Sequence, residues 1–355
     1  MRILVISNLY PPYYIGGYEL ACKDVADGLR KRGHEISVLT STYGIEKPTR
    51  EDGIYRILNH YFGERPKRRF LSRIDSWKAG YFDWKNYRLT KRIIKQVKPD
   101  ILYLWHLSDV SPSVMFAAES MKIPVVHHIS GYWLESVVKN SRVASSGLKK
   151  YIKSITIYRN IRRLGLEHLI FVSERLRQSY IEGNVPLKDT RIIYHGVDTN
   201  QYPLSENHTS EDGVCKLLYA GRVSPEKGVR TIIEAISNLI LKGYENFSLS
   251  IVGGGSSDYV SELQRLVEEK KQKKRVKFWG VQPRERVKDF FYNHDIFIFS
   301  SIWEEPFSIV LLEAMASGMA VIGTPVGGSK EILVDGENAL VYSPGDSEAL
   351  AEAIS

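Results

Sequence analysis

Two glutamates, Glu305 and Glu313, lie eight residues apart in the stretch EEPFSIVLLEAMASG, Glu304 to Gly318. Pro306 suits the first turn of a helix because proline has no backbone N–H to satisfy there, so we expect Glu305 at or just before the helix cap. Glu313 then lies about two turns into the helix. The first backbone N–H groups of a helix have no partner within it and can bind a ligand. Here they are predicted to be those of Phe307, Ser308 and Ile309.

A basic pair, Arg222 and Lys227, stands in GRVSPEKGV between a predicted strand and a predicted helix. A helix N-terminus favours anions, and two cations beside it suit a diphosphate. Carboxylates accept hydrogen bonds from hydroxyls. The basic pair can bind a diphosphate, and the two glutamates can bind hydroxyl groups at either end of that diphosphate. This combination predicts a nucleotide sugar as the ligand.

Strand and helix patterns alternate along the chain, with the β-branched run RILVISN (Arg2 to Asn8) followed by a helical stretch and a second strand. Around residues 199–213 the pattern lapses into polar, turn-rich sequence and then restarts. We predict an α/β protein of two doubly wound, Rossmann-like domains facing each other across a cleft, since such alternation is typical of parallel sheets. The domains are predicted over 1–200 and 214–355, with a linker over 201–213. Ligands of such sheets bind beyond the carboxyl ends of the strands.

The glycine run Gly253 to Gly255 follows one predicted strand end and lets the backbone approach a ligand closely. It completes neither the GxGxxG dinucleotide pattern nor the P-loop pattern. We therefore predict Gly253 as a ligand-binding position at the same edge of the sheet, without assigning a dinucleotide.

Composition is that of a globular chain: 355 residues, 43% hydrophobic and 25% charged, with two cysteines far apart. The length suits two domains, and the cysteine usage fits a reducing compartment. No run approaches the roughly 18 apolar residues of a membrane span. A cytoplasmic location is the expectation.

Basic charge is concentrated in residues 1–210, where 33 Lys/Arg against 20 Asp/Glu give +13, while residues 211–355 carry 16 against 21, or −5. Most of the excess lies in two segments that also carry aromatic residues, 65–98 and 149–163. Their pattern fits a basic amphipathic surface on an anionic membrane, and equally well ordinary helices with solvated lysines. No recognisable nucleic-acid-binding module is present.

The stretch from Glu304 to Asp346 resembles the C-terminal signature of the family 4 retaining glycosyltransferases, two-domain GT-B proteins, including their E-x7-E motif. The resemblance extends to GRVSPEKG, to YHGVDTNQY and to the first forty residues, in the same order. It implies that Glu313 binds the donor ribose and that Glu305 binds the transferred sugar. Arg222 and Lys227 would hold the diphosphate as leaving group, helped by the backbone amides named above. The resemblance also places Trp279 to Val281 near the base, and Gly16 and Gly17 near the phosphates and the acceptor.

The resemblance implies a metal-independent enzyme without a cofactor, which moves a hexose from a nucleotide sugar, UDP-glucose or a similar UDP-sugar by preference, to a glycan or lipid-linked acceptor. The chain has no D-x-D motif. Arg222, Lys227 and Glu305 are the expected catalytic residues, with neither glutamate as nucleophile. A nucleotide-sugar epimerase and a degenerate nucleotide-sugar-binding protein remain alternatives.

Two departures from the family pattern stand out. Many relatives carry a histidine six residues after the proline of IPVVHHISGYW, where this chain has Ser130; His127 and His128 come too early and are interpreted as structural. The sequence also stops at SEALAEAIS, inside a predicted helix, before the long helix that usually crosses back to the first domain. We therefore expect either that the crossing helix is truncated or that closure of the two domains is unusual.

Overall fold

The computed structural model describes residues 1–61, 82–108, 110–142, 166–204 and 213–355. The chain divides into two compact units, Met1–Tyr194 and His195–Ser355. The boundary lies before the predicted one at residue 200, because Tyr202 belongs to an apolar core of the second unit and Val197 packs against that core. Most of the predicted linker lies outside the described residues.

The first unit consists of one sheet and its connecting helices. In chain order its elements are β1 (Arg2–Ile6), α1 (Gly17–Lys31), β2 (Glu35–Ser41), β3 (Thr49–Glu51), β4 (Ile54–Leu58), α2 (Trp84–Val97), β5 (Ile101–Leu104), α3 (Ser113–Glu119), β6 (Val125–Ile129), α4 (Trp133–Arg142), β7 (Leu169–Phe171), α5 (Glu174–Glu182) and β8 (Thr190–Ile192).

The sheet of the first unit has the order β3-β4-β2-β1-β5-β6-β7-β8. Neighbouring strands pair in parallel, except for the antiparallel hairpin of β3 and β4. Ile3 to Ile6 of the central strand β1 are buried, as expected for a parallel strand covered on both faces. The hairpin was not predicted, although its turn, Asp52-Gly53, has the positive φ values that the dipeptide Asp-Gly favours.

The second unit is a smaller sheet with its own helices. Its elements are a 3-10 turn (Thr199–Gln201), β9 (Cys215–Ala220), a 3-10 turn (Pro225–Lys227), α6 (Val229–Leu241), β10 (Phe247–Val252), α7 (Ser257–Glu269), β11 (Val276–Gly280), α8 (Arg284–Tyr292), β12 (Ile296–Phe299), α9 (Ile309–Ala316), β13 (Ala320–Gly323), a 3-10 turn (Gly327–Glu331), β14 (Leu340–Val341) and α10 (Ser347–Ile354).

The six strands described in the second unit are all parallel, in the order β11-β10-β9-β12-β13-β14. Two apolar clusters hold its helices to the sheet: α6 contributes Ile232, Ile233 and Ile236 to one of them, while Leu311 and Ala314 of α9 belong to the other. The chain winds outward from β9 in one direction and from β12 in the other. Both units are thus doubly wound α/β structures, which confirms the predicted fold class.

Among the described residues, no helix is both long and apolar enough to cross a membrane.

Candidate functional site

The point where the winding direction reverses in the second sheet lies between β9 and β12, which are neighbours. In open α/β sheets, ligands bind beyond the carboxyl ends of the strands at such a switch point. Two loops leave the sheet there: 221–228 after β9 and 300–308 after β12. They carry Arg222, Lys227 and Glu305, three of the residues singled out in the sequence.

The loop after β9 is held against the loop after β12 by contacts with Ser300. Gly228 has φ 69°, and a Cβ atom added to it would come within 1.9 Å of the Ser300 carbonyl oxygen. The Ser300 hydroxyl donates a 2.8 Å hydrogen bond to the Lys227 carbonyl. The positive φ and the close approach together explain why a glycine follows Lys227, and they join the basic loop to the β12 loop.

Lys227 and Glu305 form a salt bridge between Nζ and Oε1. The same Glu305 oxygen accepts a 2.9 Å hydrogen bond from the Ser301 hydroxyl, and Glu305 is only 8% exposed. Sequence reasoning missed Ser301, whose small polar side chain at a strand end carries little signal. The structure thus brings together two predicted catalytic residues that are 78 positions apart.

Arg222 is more open to solvent. Its side chain is 59% exposed and lies 3.5 Å from a carboxylate oxygen of Glu226. Its carbonyl oxygen accepts a 2.7 Å hydrogen bond from the hydroxyl of Tyr219, whose pKa is raised by burial. The loop backbone is therefore anchored, while the guanidinium is accessible to an anion.

Gly253 and Val281 directly follow the neighbouring strands β10 and β11. Gly253 donates a 2.8 Å hydrogen bond to Gly280, and a Cβ atom on it would lie 1.8 Å from the carbonyl oxygen of Gly221. This contact leaves no room for a side chain on Gly253. Binding of the donor by Gly253 stays a prediction. Val281, predicted near the base, is 80% exposed at the end of β11.

The helix that carries Glu313 begins later than predicted. α9 starts at Ile309 with Ser308 as its N-cap, so Pro306 is not in its first turn and the prediction of a cap at Glu305 is wrong. The reason is tertiary: the Glu305 carbonyl accepts a 2.7 Å hydrogen bond from the backbone N–H of Gly328, which keeps this segment non-helical.

The amide groups expected at the helix start are accordingly divided. Ile309 is the first helical residue and Ser308 precedes it as the cap, whereas Phe307 lies outside the helix. The Phe307 ring is 5.9 Å from the ring of His195. Burial lowers the pKa of His195 to about 4, so its imidazole is neutral at pH 7. Donor binding by these three residues stays a prediction.

Glu313 has two partners that sequence reasoning did not assign. Its Oε1 accepts a 2.6 Å hydrogen bond from the Tyr202 hydroxyl and lies 3.8 Å from the Arg284 guanidinium. Burial, and then the charge of Glu313, raise the pKa of Tyr202, so the phenol stays protonated as the donor. Tyr202 stands in the stretch YHGVDTNQY, and its position beside a motif was the available signal.

The remaining predicted residues belong to the first unit. Gly16 caps α1, donating its N–H to Glu19 at 2.9 Å, and Gly17 is the first helical residue. His127 lies 2.7 Å from a Glu119 oxygen, and His128 lies 2.8 Å from the Tyr103 hydroxyl. Both histidines therefore have structural partners, in agreement with their interpretation from the sequence.

Solved structures share this fold over nearly the whole of this chain. The Anabaena protein HepE, solved with UDP and glucose, is 21% identical, with TM-score 0.70 over 100% of this chain and 89% of that one. Sucrose-phosphate synthase from Thermosynechococcus elongatus is 20% identical, with TM-score 0.74 over 99% and 88% of the two chains. These likenesses show that the chain has the two-domain GT-B fold.

The family follows from the sequence comparisons. Residues 15–201 match the model of Glycosyltransferase Family 4, and residues 203–355 match that of Glycosyl transferases group 1. The first match alone spans more than half of the 355 residues, and the chain belongs to glycosyltransferase family 4. This confirms the resemblance inferred from the motifs.

Curated relatives cover nearly the full length. A protein of the Klebsiella pneumoniae cps region is 27% identical over 94% of this chain and 87% of that protein. An uncharacterized glycosyltransferase of Methanocaldococcus jannaschii is 22% identical over 99% of this chain and 87% of that one. Glycogen synthase of Mycobacterium tuberculosis is 24% identical over 100% and 85% of the two chains.

Proposed function

We propose that this glycosyltransferase moves a hexose from a UDP-sugar, UDP-glucose or a close relative of it, to a glycan or lipid-linked acceptor with retention of anomeric configuration. The observation that carries the proposal is the pairing of Lys227 with Glu305 at the switch point of the second sheet. A cation for a diphosphate and a carboxylate for a sugar hydroxyl lie side by side there. The HepE structure with UDP and glucose supports the choice of donor.

The cationic side chains stabilise the leaving group. As the bond between the anomeric carbon and the β-phosphate oxygen breaks, negative charge grows on the diphosphate. Arg222 and Lys227 offset that charge without a metal ion, and preorganised charges of this kind are often the largest contribution to catalysis. The accessible Arg222 guanidinium can also bind two phosphate oxygens at once.

The chemical step proposed here is a same-face displacement. The acceptor oxygen forms its bond to the anomeric carbon on the face from which UDP leaves, and its proton passes to the departing phosphate oxygen. Glu305 is not the nucleophile in this scheme, because a same-face displacement forms no covalent bond to the enzyme; its Oε1 is bound by Lys227 and Ser301. Its part is to orient the transferred sugar, while Glu313 orients the ribose.

A screen of nucleotide sugars tests the proposal. A ligand that binds the folded protein increases its free energy of unfolding by RT ln(1 + [L]/Kd) and so raises its melting temperature. UDP-sugars should therefore raise the melting temperature more than GDP- or ADP-sugars. UDP release should then increase when an acceptor is added. Stabilisation by guanosine nucleotides alone would overturn the choice of UDP. Interconversion of the free donor would point to an epimerase, and binding without turnover to a degenerate binding protein.

We also propose that the basic first unit brings the enzyme to an anionic membrane surface. Segment 149–163 and residues 65–81 lie outside the described residues, but helix α2 supports the idea. Trp84 at its start is 62% exposed, and four of its basic side chains are exposed, namely those of Lys85, Arg88, Arg92 and Lys95. Each Lys or Arg near an anionic leaflet contributes about 1 kcal/mol.

Neutralising these four residues should reduce co-sedimentation with anionic vesicles at low salt. Equal binding to neutral vesicles would contradict the proposal.

A further inference from the structure

His106 lies at the switch point of the first sheet. The strands wind outward from β1 on one side and from β5 on the other, and His106 lies two residues after the end of β5. Its carbonyl accepts a 2.8 Å hydrogen bond from the N–H of Asn8, in the loop after β1. This is the position of a doubly wound sheet at which ligands bind.

Three buried polar atoms at this edge have no hydrogen-bond partner among the described residues: His106 Nδ1, Ser130 Oγ and Trp133 Nε1. Ser130 is 6% exposed and Trp133 is 8% exposed. Buried polar groups are nearly always hydrogen-bonded, and one left without a partner is costly. Three such groups in one place call for a ligand that can bond them.

The three residues are neighbours in space. The rings of His106 and Trp133 are 6.1 Å apart and edge to face. A Cβ atom on Gly131, the residue after Ser130, would lie 3.2 Å from Cε1 of His106. The Tyr18 ring at the start of α1 is 4.6 Å from the imidazole. We refer to His106, Ser130 and Trp133 as the His106 cluster.

The chemistry of the cluster is that of a neutral hydroxyl site. Burial lowers the pKa of His106 to about 4, so the imidazole is neutral at pH 7 and has one donor and one acceptor nitrogen. The Trp133 indole only donates, and the Ser130 hydroxyl does both. A sugar hydroxyl, which donates once and accepts twice, matches this set, whereas none of these three side chains supplies the cation that favours a phosphate.

We propose that the His106 cluster binds a hydroxyl group of the acceptor sugar, with His106 supplying the imidazole that Ser130 does not. The proposal deepens the proposed function, on which it rests, by assigning acceptor recognition to three named residues of the first unit. It also gives a histidine, His106, a binding role at the edge of the sheet where position 130 is a serine.

The test measures binding of methyl hexopyranosides to the full chain by saturation-transfer NMR, in the presence of saturating UDP. The glucoside, galactoside and mannoside serve as probes. At least one should bind the unaltered protein, and His106→Ala and Trp133→Phe should each weaken it by about three- to tenfold, the equivalent of one neutral hydrogen bond. His168→Ala, at an exposed histidine of the same unit, is the matched control. Failure of all three probes to bind, or equal binding by the variants and the unaltered protein, would overturn the proposal.

Two further measurements separate the outcomes. In the unaltered protein, the NMR signals of the His106 imidazole should shift when the hexoside that binds is added. This readout does not depend on a variant folding correctly. Unchanged signals would overturn the proposal. His106→Asn, which keeps a polar group of similar reach, should retain more affinity than His106→Ala. UDP affinity is measured in parallel. A protein that binds the hexoside through His106 but does not bind UDP would disprove the proposed donor and leave the cluster standing.

Discussion

The ammonium group of Lys227 is paired with the carboxylate of Glu305, so two residues expected to bind different parts of a donor bind one another in the protein alone. Glu305 is nearly buried, and a buried charge that loses its partner is strongly destabilising. A diphosphate at this site must therefore share Lys227 with Glu305 or displace it. This competition has consequences that can be measured separately for UDP and for the sugar.

Replacing Glu305 by Gln removes the competing charge and keeps the shape of the side chain. We expect the affinity for free UDP to be unchanged or higher, because Lys227 is released for the diphosphate. Sugar transfer should fall by about 10- to 100-fold, in line with about 1.5–3 kcal/mol for a hydrogen bond to a charged group. Calorimetric titration with UDP and the rate of UDP release from UDP-glucose measure the two effects. Glu304→Gln, at the exposed neighbouring position, is the control. A loss of UDP affinity as large as that of Glu313→Gln would contradict the division of roles.

Replacing Lys227 or Arg222 by Ala should weaken UDP binding by a similar factor of about 10–100. The effects on folding should differ. The exposed Arg222 pair contributes no more than about 1 kcal/mol, as is usual for surface ion pairs. Lys227→Ala leaves Glu305 without its charged partner and should lower the free energy of unfolding more. Lys273→Ala, with its side chain 78% exposed, is the control for charge alone. Unaltered UDP affinity in both variants would remove this site.

The hydroxyl of Tyr202 should affect recognition of the ribose, because it holds the carboxylate of Glu313 at 2.6 Å. We expect Tyr202→Phe to reduce UDP affinity by about three- to tenfold and to narrow the difference between UDP and 2′-deoxy-UDP. Tyr244→Phe, at a tyrosine 46% exposed in the same unit, is the control. If the variant lost affinity for UDP and 2′-deoxy-UDP to the same extent, Tyr202 would not act through ribose recognition.

Gly228 and Gly243 form a matched pair for the effect of close packing. Both have a positive φ, 69° and 89°, but only at Gly228 would a Cβ atom meet another atom, 1.9 Å from the Ser300 carbonyl oxygen. Gly243→Ala should cost about 1 kcal/mol through its backbone conformation alone. Gly228→Ala should cost more and also weaken UDP binding, since it separates the two loops that carry Lys227 and Glu305. Thermal unfolding and UDP titration compare them. Equal melting temperatures for the two variants would show that the contact is easily relieved.

The depressed pKa of His106 makes the first unit sensitive to acid. The folded state keeps the imidazole neutral down to a pKa of about 4, whereas the unfolded chain binds a proton below about 6.5. Between these values the unfolded state holds more protons, so this contribution to stability is complete above about pH 6.5 and is lost as the pH falls towards 4. The slope is at most about 1.4 kcal/mol per pH unit.

The measurement for His106 is calorimetric unfolding of the protein and of His106→Gln between pH 5 and 8. The variant should lose less stability on acidification. His195, which has a similarly lowered pKa, contributes equally to both proteins and cancels in the difference. Parallel curves for the two proteins would contradict the predicted titration.

Much of the fold could be predicted from local pattern alone. The run RILVISN forms strand β1, Arg2–Ile6, and helix α1 and strand β2 follow it as expected from the sequence, because the periodicity of apolar residues reports which face is buried. The family motifs likewise pointed to Arg222, Lys227, Glu305 and Glu313 without any coordinates. Such assignments depend on residue types at short spacings, which a sequence displays directly.

What only the tertiary structure decided are the contacts between residues distant in sequence. Lys227 meets Glu305 across 78 positions and Tyr202 meets Glu313 across 111, so no local pattern links either pair. The start of α9 also depends on a distant partner. The hydrogen bond from the Gly328 N–H holds Glu305 outside the helix that Pro306 was predicted to begin. Finally, the sequence alone showed a serine, Ser130, where many relatives have a histidine. In the structure the parallel pairing of β5 with β6 places His106 beside Gly131, because adjacent parallel strands end at the same edge of a sheet.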